Sequence, residues 1–526
     1  MNEAAILLCK EILSGIRKGE ITRENINKFK SKIASSHKIT LPSNEEILSL
    51  VSGNDEERDL FIRVLQRRPN RTASGISIIA VMTKPDKCPH GRCAYCPTQE
   101  GFPQSYLDEE PAVMRGKAFD FDARKQVEWR IKQLEMIGHP TDKCELIMMG
   151  GTFTSRPYEY QRDFFKGCID GLNGTVGKDL KDSQMRNEKA QHRCIGINVE
   201  TRPDYAGEKD INDILSFGAT KIEIGVQTLD DKIHELTERG HTVRDVINAT
   251  RVIKDSGLKL CYHMMPNLPG SNPRKDVNEF KKLFSDERFR PDMLKIYPTL
   301  VIKGSGIYDM WKSGDYEPYT DDVLVDILAK AKSDLPEYVR IMRLQRDVPI
   351  QYIEAGCKFS NLRQLVLDEL RKRGDKCNCI RCREIGLNLT KIKKESIENA
   401  ELKEIKYKSS GGIEHFLQWV TPENFLIGLL RLRFPGRDQN EFATKDSGIV
   451  RELHVYGPAI SIGESSDILG SVQHKGFGKK LLERSEELAE SEGKENIIVT
   501  SGIGVRDYYR KFDYELMGPY VGKKLE

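Results

Sequence analysis

The feature that most constrains the fold is an alternation of apolar, β-rich runs with helical patterns through the middle of the chain. The apolar runs lie at 76–83, 145–152, 195–201, 221–228, 259–265 and 293–302, with helical patterns between them at 122–137, 158–172, 242–256 and 274–284. Strand–helix units repeated in this way favour parallel strands with helices outside them. We therefore expect an α/β fold whose central part is a full or partial barrel of about six β/α units.

Two further regions flank this predicted barrel. Residues 1–72 have helical patterns, and the chain beyond 396 alternates strands near 414–420, 425–434, 451–457 and 496–500 with a helix over 477–492. A length of 526 residues is too great for one core and suggests two or three domains, and the pattern along the chain divides it into four units. They are a helical N-terminal region (1–72), the barrel (73–365), a cysteine-rich connector (366–395) and an α+β domain (396–526). The polar segment 172–192 is predicted to be a loop with a mobile tip.

Composition argues against a membrane protein. Charged residues make up 31% of the chain and hydrophobic residues 38%, and no apolar run approaches the roughly 20 residues of a membrane-spanning helix. The first residues have the pattern of an amphipathic helix rather than of a signal peptide. We expect a cytoplasmic protein with no membrane partner.

Positive charge is local, since the net charge is only +3. Arg63, Arg67 and Arg71 share one face of a predicted helix at i, i+4 and i+8, with Arg68 beside them. Residues 363–394 hold ten Lys or Arg against four Asp or Glu. Stripes of this kind bind nucleic-acid phosphates, and an ordinary solvated surface is the alternative.

Three cysteines, Cys88, Cys93 and Cys96, lie in the short loop CPHGRCAYCP directly after the first apolar run. Three thiolates can ligate three irons of a [4Fe–4S] cluster and leave the fourth iron open to S-adenosylmethionine. A zinc site with His90 as its fourth ligand is the alternative. The position favours the cluster, because the chemistry of β/α barrels lies at the carboxyl ends of their strands.

Other candidate cofactor residues follow the next three apolar runs. Gly150, Gly151 and Thr152 follow the second, Glu200 and Arg202 the third, and Gln227 the fourth. Bare backbone at the two glycines would let the amino group of the cofactor approach closely. Polar residues that only cap strand ends are the alternative.

A second cofactor signal lies in QHKGFG, Gln473 to Gly478, which leads into a predicted helix. Glycines and backbone N–H groups at a helix N-terminus suit a pyrophosphate, and Q-x-x-G-x-G resembles the phosphate signature of GNAT acetyltransferases. An ordinary β–α turn is the alternative. The residues expected to bind acetyl-CoA are Gln473, Lys475, Gly476, Phe477 and Gly478, the strand Glu452, Leu453, His454, Val455 and Tyr456, and Tyr508 and Tyr509. Which tyrosine faces the sulfur stays open.

The connector holds Cys377, Cys379 and Cys382 within six residues. Without a glycine-rich barrel context, three soft ligands favour a structural zinc over a second cluster. His415 is the candidate for the fourth ligand. A core or surface histidine is the alternative.

Five segments together resemble one branch of the radical S-adenosylmethionine superfamily, the family of the catalytic subunit of Elongator. They are MTKPDKCPHGRCAYCP, MMGGTF, NVETRPDY, EIGVQT and YPTLVIKGSGIYDMWKSGDY. The resemblance runs from about Arg71 to the C-terminus. One departure is the spacing C-x4-C-x2-C in place of the usual C-x3-C-x2-C, and this compact loop is similar to those of archaeal or bacterial members.

The resemblance implies a radical enzyme that installs a carboxymethyl-type group on C5 of the wobble uridine, U34, of tRNA. A deoxyadenosyl radical would take hydrogen from the methyl group of acetyl-CoA, the carbon radical would attack C5, and thioester hydrolysis would follow. It also implies that Glu200, Arg202 and Gln227 lie near the ribose and methionine of S-adenosylmethionine. Lys143, by the same resemblance, would reach acetyl-CoA from the barrel side.

The implied partner is the anticodon stem-loop of tRNA, with other Elongator subunits only where an organism has them; a homodimer stays open. One rival is a protein-lysine acetyltransferase with a structural iron–sulfur barrel. Another is a tRNA-binding subunit without turnover of its own.

Overall fold

The computed structural model describes residues 3–51, 55–66, 72, 75–388, 391–456 and 476–525. It begins with four helices, α1 (Glu3–Arg17), α2 (Ile26–Ser36), α3 (Asn44–Leu50) and α4 (Asp55–Leu65). Their apolar faces meet in a small core of their own around Leu8, Ile12, Ile47 and Phe61. No helix among the described residues is both long enough and apolar enough to cross a bilayer.

The centre of the molecule is a sheet of seven parallel strands in the linear order β1-β2-β3-β4-β5-β6-β8. The strands are β1 (Ser77–Met82), β2 (Lys143–Met149), β3 (Arg193–Thr201), β4 (Lys221–Gln227), β5 (Lys259–Met264), β6 (Met293–Ile296) and β8 (Arg340–Arg343). Two short strands, β7 (Val301–Ile302) and β9 (Ile353–Ala355), pair with each other outside it. The predicted partial barrel is confirmed, with one strand more than the six expected.

Helices connect these strands. They are α5 (Pro111–Ala118), α6 (Ala123–Met136), α7 (Tyr158–Asn173), α8 (Leu180–Asn187), α9 (Glu208–Ser216), α10 (Asp231–Leu236), α11 (Val243–Asp255), α12 (Pro273–Ser285), α13 (Gly306–Ser313), α14 (Asp321–Ser333) and α15 (Leu362–Lys372). Strand residues alternate between two sides. Leu146 and Met148 of β2 belong to the apolar core with Phe165 of α7, whereas Ile147 and Met149 line a cavity in the lumen of the partial barrel.

The prediction of a mobile loop over 172–192 is wrong, because this segment contains the helix α8. The side chain of Asp179 caps the helix by accepting from the backbone N–H of Asp182 at 2.8 Å. Ser183 donates to the buried Asp170 carboxylate at 2.6 Å, and the Asn187 amide donates to Asn173 at 2.8 Å. These contacts join polar residues that periodicity alone assigns to solvent.

The C-terminal part forms a second seven-stranded sheet with the order β10-β11-β12-β13-β14-β16-β15. Its elements follow the short helices α16 (Ile380–Arg383) and α17 (Lys394–Glu398). They are β10 (Glu401–Ser409), β11 (Gly412–Val420), β12 (Leu426–Phe434), β13 (Ser447–Val455), α18 (Phe477–Ser491), β14 (Asn496–Val499), α19 (Arg506–Arg510), β15 (Glu515–Met517) and β16 (Tyr520–Lys524). Leu481 and Leu482 of α18 pack on one face of this sheet, and Phe416 and Val420 on the other face join the core of the barrel.

Candidate active site

The three cysteines of the first loop line a cavity of about 920 Å³ at the carboxyl ends of the parallel strands. Each sulfur has a polar neighbour. Cys88 Sγ lies 3.3 Å from the hydroxyl of Thr152, Cys96 Sγ lies 2.9 Å from the hydroxyl of Ser105, and Arg239 donates to Cys93 Sγ at 3.5 Å. Three thiols on one cavity wall, each beside a hydrogen-bonding or cationic group, are the donor set that a cysteine-ligated iron–sulfur cluster needs.

His90 lies between two of these sulfurs, with Nδ1 3.0 Å from Cys88 Sγ and Nε2 3.1 Å from Cys93 Sγ. Burial, together with the charges of Arg202 and Arg239, lowers the pKa of His90 to about 4. The imidazole is therefore neutral at pH 7. Arg202 lies against Nδ1, which can accept from the guanidinium when the proton of the neutral ring is on Nε2.

Bare backbone follows the second strand, as the sequence predicts. Gly150 has φ +132° and Gly151 has φ +90°, and a Cβ added at Gly150 would come within 2.0 Å of the Thr83 hydroxyl. A Cβ at Gly225, near the end of β4, would lie 2.6 Å from Arg239. These strand ends therefore leave room that only glycine provides.

The polar candidates at the ends of β3 and β4 line the same cavity. Glu200 accepts from the Tyr106 hydroxyl at 2.7 Å and from Lys295 at 3.3 Å. Arg202 is held by Asp204 at 2.8 Å. Gln227, at φ +70°, has a buried side-chain oxygen without a hydrogen-bond partner among the described residues. An orphaned acceptor of this kind fits a site that binds a ligand with N–H or O–H donors.

Sequence reasoning missed a charged group deeper in the lumen. Glu223 accepts from the Asn198 amide and from His263 Nε2, both at 2.6 Å, and pairs with Lys295. Burial alone would raise the pKa of Glu223, but Lys295 and His263 outweigh it and hold that pKa well below its usual range. Charged residues alternate with apolar residues along β4 and β6. This alternation could have indicated charged side chains in the lumen, because inward positions of a strand recur every second residue.

Some of the C-terminal candidates meet at the start of α18: Gly476, Gly478, Tyr508 and Val455. Gly476 caps this helix at φ +67°, and a Cβ added at Gly478 would lie 2.8 Å from the Tyr508 hydroxyl and 3.6 Å from Val455 at the end of β13. Tyr509 is buried in the apolar core of the sheet. Of the two tyrosines, Tyr508 therefore has its hydroxyl at the helix start. Gln473 and Lys475 lie outside the described residues.

The other residues of the predicted acetyl-CoA strand differ in their contacts. Leu453 packs on the apolar core of the second sheet. Glu452 accepts from Arg431 at 2.8 Å, and Arg340 of β8 donates to the Tyr456 hydroxyl at 3.2 Å. Burial lowers the pKa of His454 to about 4, and its ring lies 4.2 Å from that of Tyr456. This strand therefore faces the barrel with side chains that are already engaged.

Three family models match the chain: the ELP3 N-terminal domain over residues 5–73, the radical SAM superfamily over 82–283, and the radical SAM C-terminal domain over 291–372. The chain is 46% identical to a tRNA uridine(34) acetyltransferase of Methanocaldococcus jannaschii, covering 100% of this chain and 99% of that one. It is 39% identical to Elongator complex protein 3 of Saccharomyces cerevisiae, covering 98% and 94%.

Among solved structures, Elp3 of Methanocaldococcus infernus with an N-terminal deletion is 43% identical, with a TM-score of 0.77. That match covers 86% of this chain and 100% of the other. The chain belongs to the Elongator complex protein 3 family. The match to the radical SAM superfamily indicates a [4Fe–4S] cluster and S-adenosylmethionine as cofactors. The three thiols and the glycines at the strand ends of the cavity agree with these cofactors.

The cysteine-rich connector of this family member brings Cys377, Cys379 and Cys382 together, with their sulfurs within 4.8 Å of one another. Lys332 lies at 3.2 Å from Cys377 Sγ. Three clustered thiols with a balancing cation fit a zinc ion.

His415 does not join this cluster, and its prediction as the fourth ligand is corrected. It lies on β11 against Glu404 at 2.6 Å and against the ring of Phe434. Gln418, which accepts from Arg383 of the connector at 2.8 Å, is three residues further along the same strand. Positions an odd number apart point to opposite faces of a sheet, so His415 points away from the connector.

Two other candidates that the structure describes, Lys143 and Arg63, do not line the cavity. Lys143 is the exposed first residue of β2, at the amino end of the strand, 3.8 Å from Asp142. Its register partner Arg193 packs against Gly504 of the C-terminal part, so Lys143 lies on the side of the barrel that the second sheet covers. Arg63 is exposed in the last turn of α4, and Arg67, Arg68 and Arg71 lie outside the described residues.

Proposed function

We propose that this protein modifies the wobble uridine of tRNA, U34, and that it places a carboxymethyl-type group on C5 with carbon supplied by acetyl-CoA. One observation carries the proposal: the loop cysteines and the polar ends of β2, β3 and β4 line a single cavity. Two relatives that match along almost the whole chain, a tRNA uridine(34) acetyltransferase and an Elongator complex protein 3, support the choice of substrate.

Cys88, Cys93 and Cys96 would hold the cluster by their thiolates. A cluster of this kind, when bound, supplies the single electron that cleaves S-adenosylmethionine, and the carbon radical so formed can activate a methyl C–H bond. Abstraction of a hydrogen atom from this methyl group requires a radical, which acid–base side chains do not supply. The Arg239 guanidinium beside Cys93 stabilises the negative charge of the thiolate ligands.

The strand-end residues would orient S-adenosylmethionine. The free oxygen of Gln227 can accept from an amino or hydroxyl group, and Glu200 can accept from ribose hydroxyls without moving Tyr106. Gly150 and Gly151 keep side chains out of the approach to the backbone. Arg202 is a positioning residue, because Asp204 and the carbonyl of Arg239 already engage its guanidinium.

The start of α18 would hold acetyl-CoA. Backbone N–H groups after Gly476 can bind phosphate at the positive end of the helix dipole. Tyr508 can donate a hydrogen bond from its hydroxyl to the leaving sulfur, since burial raises the pKa of a group that is already protonated at pH 7. Lys143 and the edge of β13 are further candidate contacts.

The test is an anaerobic assay of reconstituted protein with tRNA, acetyl-CoA and S-adenosylmethionine, followed by nucleoside analysis. We expect 5-carboxymethyluridine from the native chain and none from a Cys93→Ala, Cys96→Ala variant. Acetylation of lysine peptides at equal rates by both proteins would support the protein-lysine acetyltransferase instead. Tight tRNA binding without either product would support a binding subunit.

A further inference from the structure

The partial barrel has an open side beyond β1, where two helices replace a neighbouring strand. The Gln126 side chain of α6 accepts from the backbone N–H of Met82 and donates to its carbonyl, both at 2.9 Å. Arg115 of α5 donates to the carbonyl of Ala80. Side chains thus satisfy part of the exposed strand edge, and α5 and α6 become one wall of the cavity that holds the cysteines.

Arg115 is an unusual residue for such a wall. Burial, followed by the like charge of Arg130, lowers the pKa of Arg115 to about 10, and no carboxylate contributes to it in the part of the chain that the structure describes. Its Nε is buried without a hydrogen-bond partner among the same residues. A half-buried guanidinium that lines a cavity and has no carboxylate partner among these residues can bind an anion that enters the cavity.

Large apolar side chains lie exposed along the same cavity as Arg115. The exposed fractions are 49% for Trp129, 56% for Met114 and 44% for Ile78, and all three line the same cavity. A tryptophan that is half exposed, on the same cavity as the Arg115 guanidinium, offers a ring face for stacking. Charge and shape here complement a ligand that carries both a flat ring and an anion.

We infer that Arg115 and Trp129 form a nucleotide subsite at this open side. Arg115 binds a phosphate of single-stranded RNA, and the base of the same nucleotide stacks on Trp129, next to the uridine that enters the cavity. The subsite rests on the proposed function, because it assigns the occupant to the anticodon loop. Unpaired loop nucleotides are the ones that RNA-modifying proteins splay out and stack on aromatic side chains.

The test measures binding of an anticodon stem-loop RNA to the full chain without cofactors, so that it does not depend on turnover. Trp129→Ala should weaken binding about tenfold, because base–aromatic stacking contributes about 1–3 kcal/mol, and Trp129→Phe should retain most of the affinity. Arg115→Met should make the plot of log affinity against log salt less steep by about 0.7, the loss of one single-strand phosphate contact. Arg115→Lys should keep the native slope.

Two residues of α6 outside the cavity lining serve as matched controls. Met136→Ala removes a side chain that is 52% exposed, and Lys132→Gln removes one exposed positive charge. Both variants should bind RNA with the native affinity, and all variants should keep the native melting temperature within a few degrees.

Native affinity and native salt slope in both Trp129→Ala and Arg115→Met would overturn the inference. An equal loss for RNA and for heparin in Trp129→Ala would overturn the stacking role, since heparin has no bases. These outcomes are separable from failure of the proposed function. If the native chain binds RNA through Trp129 but forms no modified uridine, the proposed reaction is contradicted and the proposed subsite is supported.

Discussion

At the scale of single residues, a few buried charged side chains in the lumen of the barrel constrain this fold, because each of them needs a partner of opposite charge. Lys295 and Glu223 are both buried and pair with each other inside the sheet, and Glu200 lies 3.3 Å from the same ammonium group. Buried charges remain stable only when they are paired, because the loss of water is costly. The charged side chains at the floor of the cavity are therefore stabilised by pairing with one another.

Lys295→Met should lower the free energy of unfolding by about 3–5 kcal/mol, because it leaves the buried Glu223 carboxylate without its cation. The measurement is urea denaturation followed by circular dichroism. The double variant Lys295→Met, Glu223→Leu should regain part of the loss, since it removes the stranded charge. A single variant within 1 kcal/mol of the native protein would contradict the pairing argument.

Glu279 of α12 holds the chain that follows Gln227, by accepting from the Thr228 hydroxyl and the Leu229 N–H. Burial raises its pKa to about 7. The folded protein thus binds this proton more tightly than the unfolded chain. Its contribution to stability is complete below about pH 4.3 and is lost as pH rises through about 7.

Glu279→Gln, which cannot ionise, should flatten this dependence. Between pH 4.5 and pH 7.5 the native protein should lose up to about 3 kcal/mol relative to the variant, at about 1.4 kcal/mol per pKa unit. Parallel stability curves from denaturant titrations across this range would contradict the raised pKa.

At the scale of elements, α18 combines a core-facing side with an N-terminus that we propose binds the phosphates of acetyl-CoA. Leu481 and Leu482 are buried against the second sheet, while Gly476 adopts φ +67° ahead of the first turn. Among the described residues, which do not include 457–475, no atom lies within 4 Å of a Cβ added at Gly476. Glycine at position 476 is thus required by the backbone conformation and by the proposed phosphate ligand, and not by crowding from neighbouring atoms.

Gly476→Glu should weaken acetyl-CoA binding at least tenfold in calorimetry and leave tRNA binding unchanged, because a carboxylate at this helix end repels the phosphates. Gly493→Glu is the matched control, since Gly493 also has φ +67° and open space, just beyond the other end of α18. Equal acetyl-CoA affinity in both variants would place the phosphates elsewhere.

Prediction of elements from the sequence succeeded where one periodicity dominated. The apolar run at 259–265 became β5 (Lys259–Met264), and the pattern at 242–256 became α11 (Val243–Asp255). It missed β8, whose four residues RIMR are too short for a pattern, and β10, whose ELKEIKYKS carries the charges of an edge strand. Short or edge elements depend on neighbours that the local sequence does not reveal.

At the scale of the whole molecule, a buried ionic network joins the two sheets. Arg451 of β13 donates to Asp292 before β6 at 2.6 and 2.7 Å and to Glu414 of β11 at 2.9 Å. Arg433 of β12 donates to Asp255 at the end of α11. These side chains are fully buried. Because each charge must meet its partner, the ion pairs define one position in which the second sheet packs on the barrel.

Arg451→Met should lower the free energy of unfolding by about 3 kcal/mol or more, because two carboxylates lose a bidentate partner in a dry interface. Calorimetry should show the melting temperature falling. Arg437→Met, at an exposed position, should change the stability by less than about 0.5 kcal/mol. Equal melting temperatures for the two variants would mean that the network does not bind the sheets together.

The sequence by itself determined the parallel β/α order, the cysteine loop and the glycine-led helix, because short spacings and regular periodicities act between neighbours in the chain. Only the tertiary structure decided which side chains meet across long separations. It turned Tyr508 rather than Tyr509 towards Gly478, directed His415 away from the connector cysteines, and set Arg115 and Trp129 along the cavity of the cysteines. Such meetings depend on which face of each element is buried and on how the two sheets pack, and both are settled only when the whole core forms.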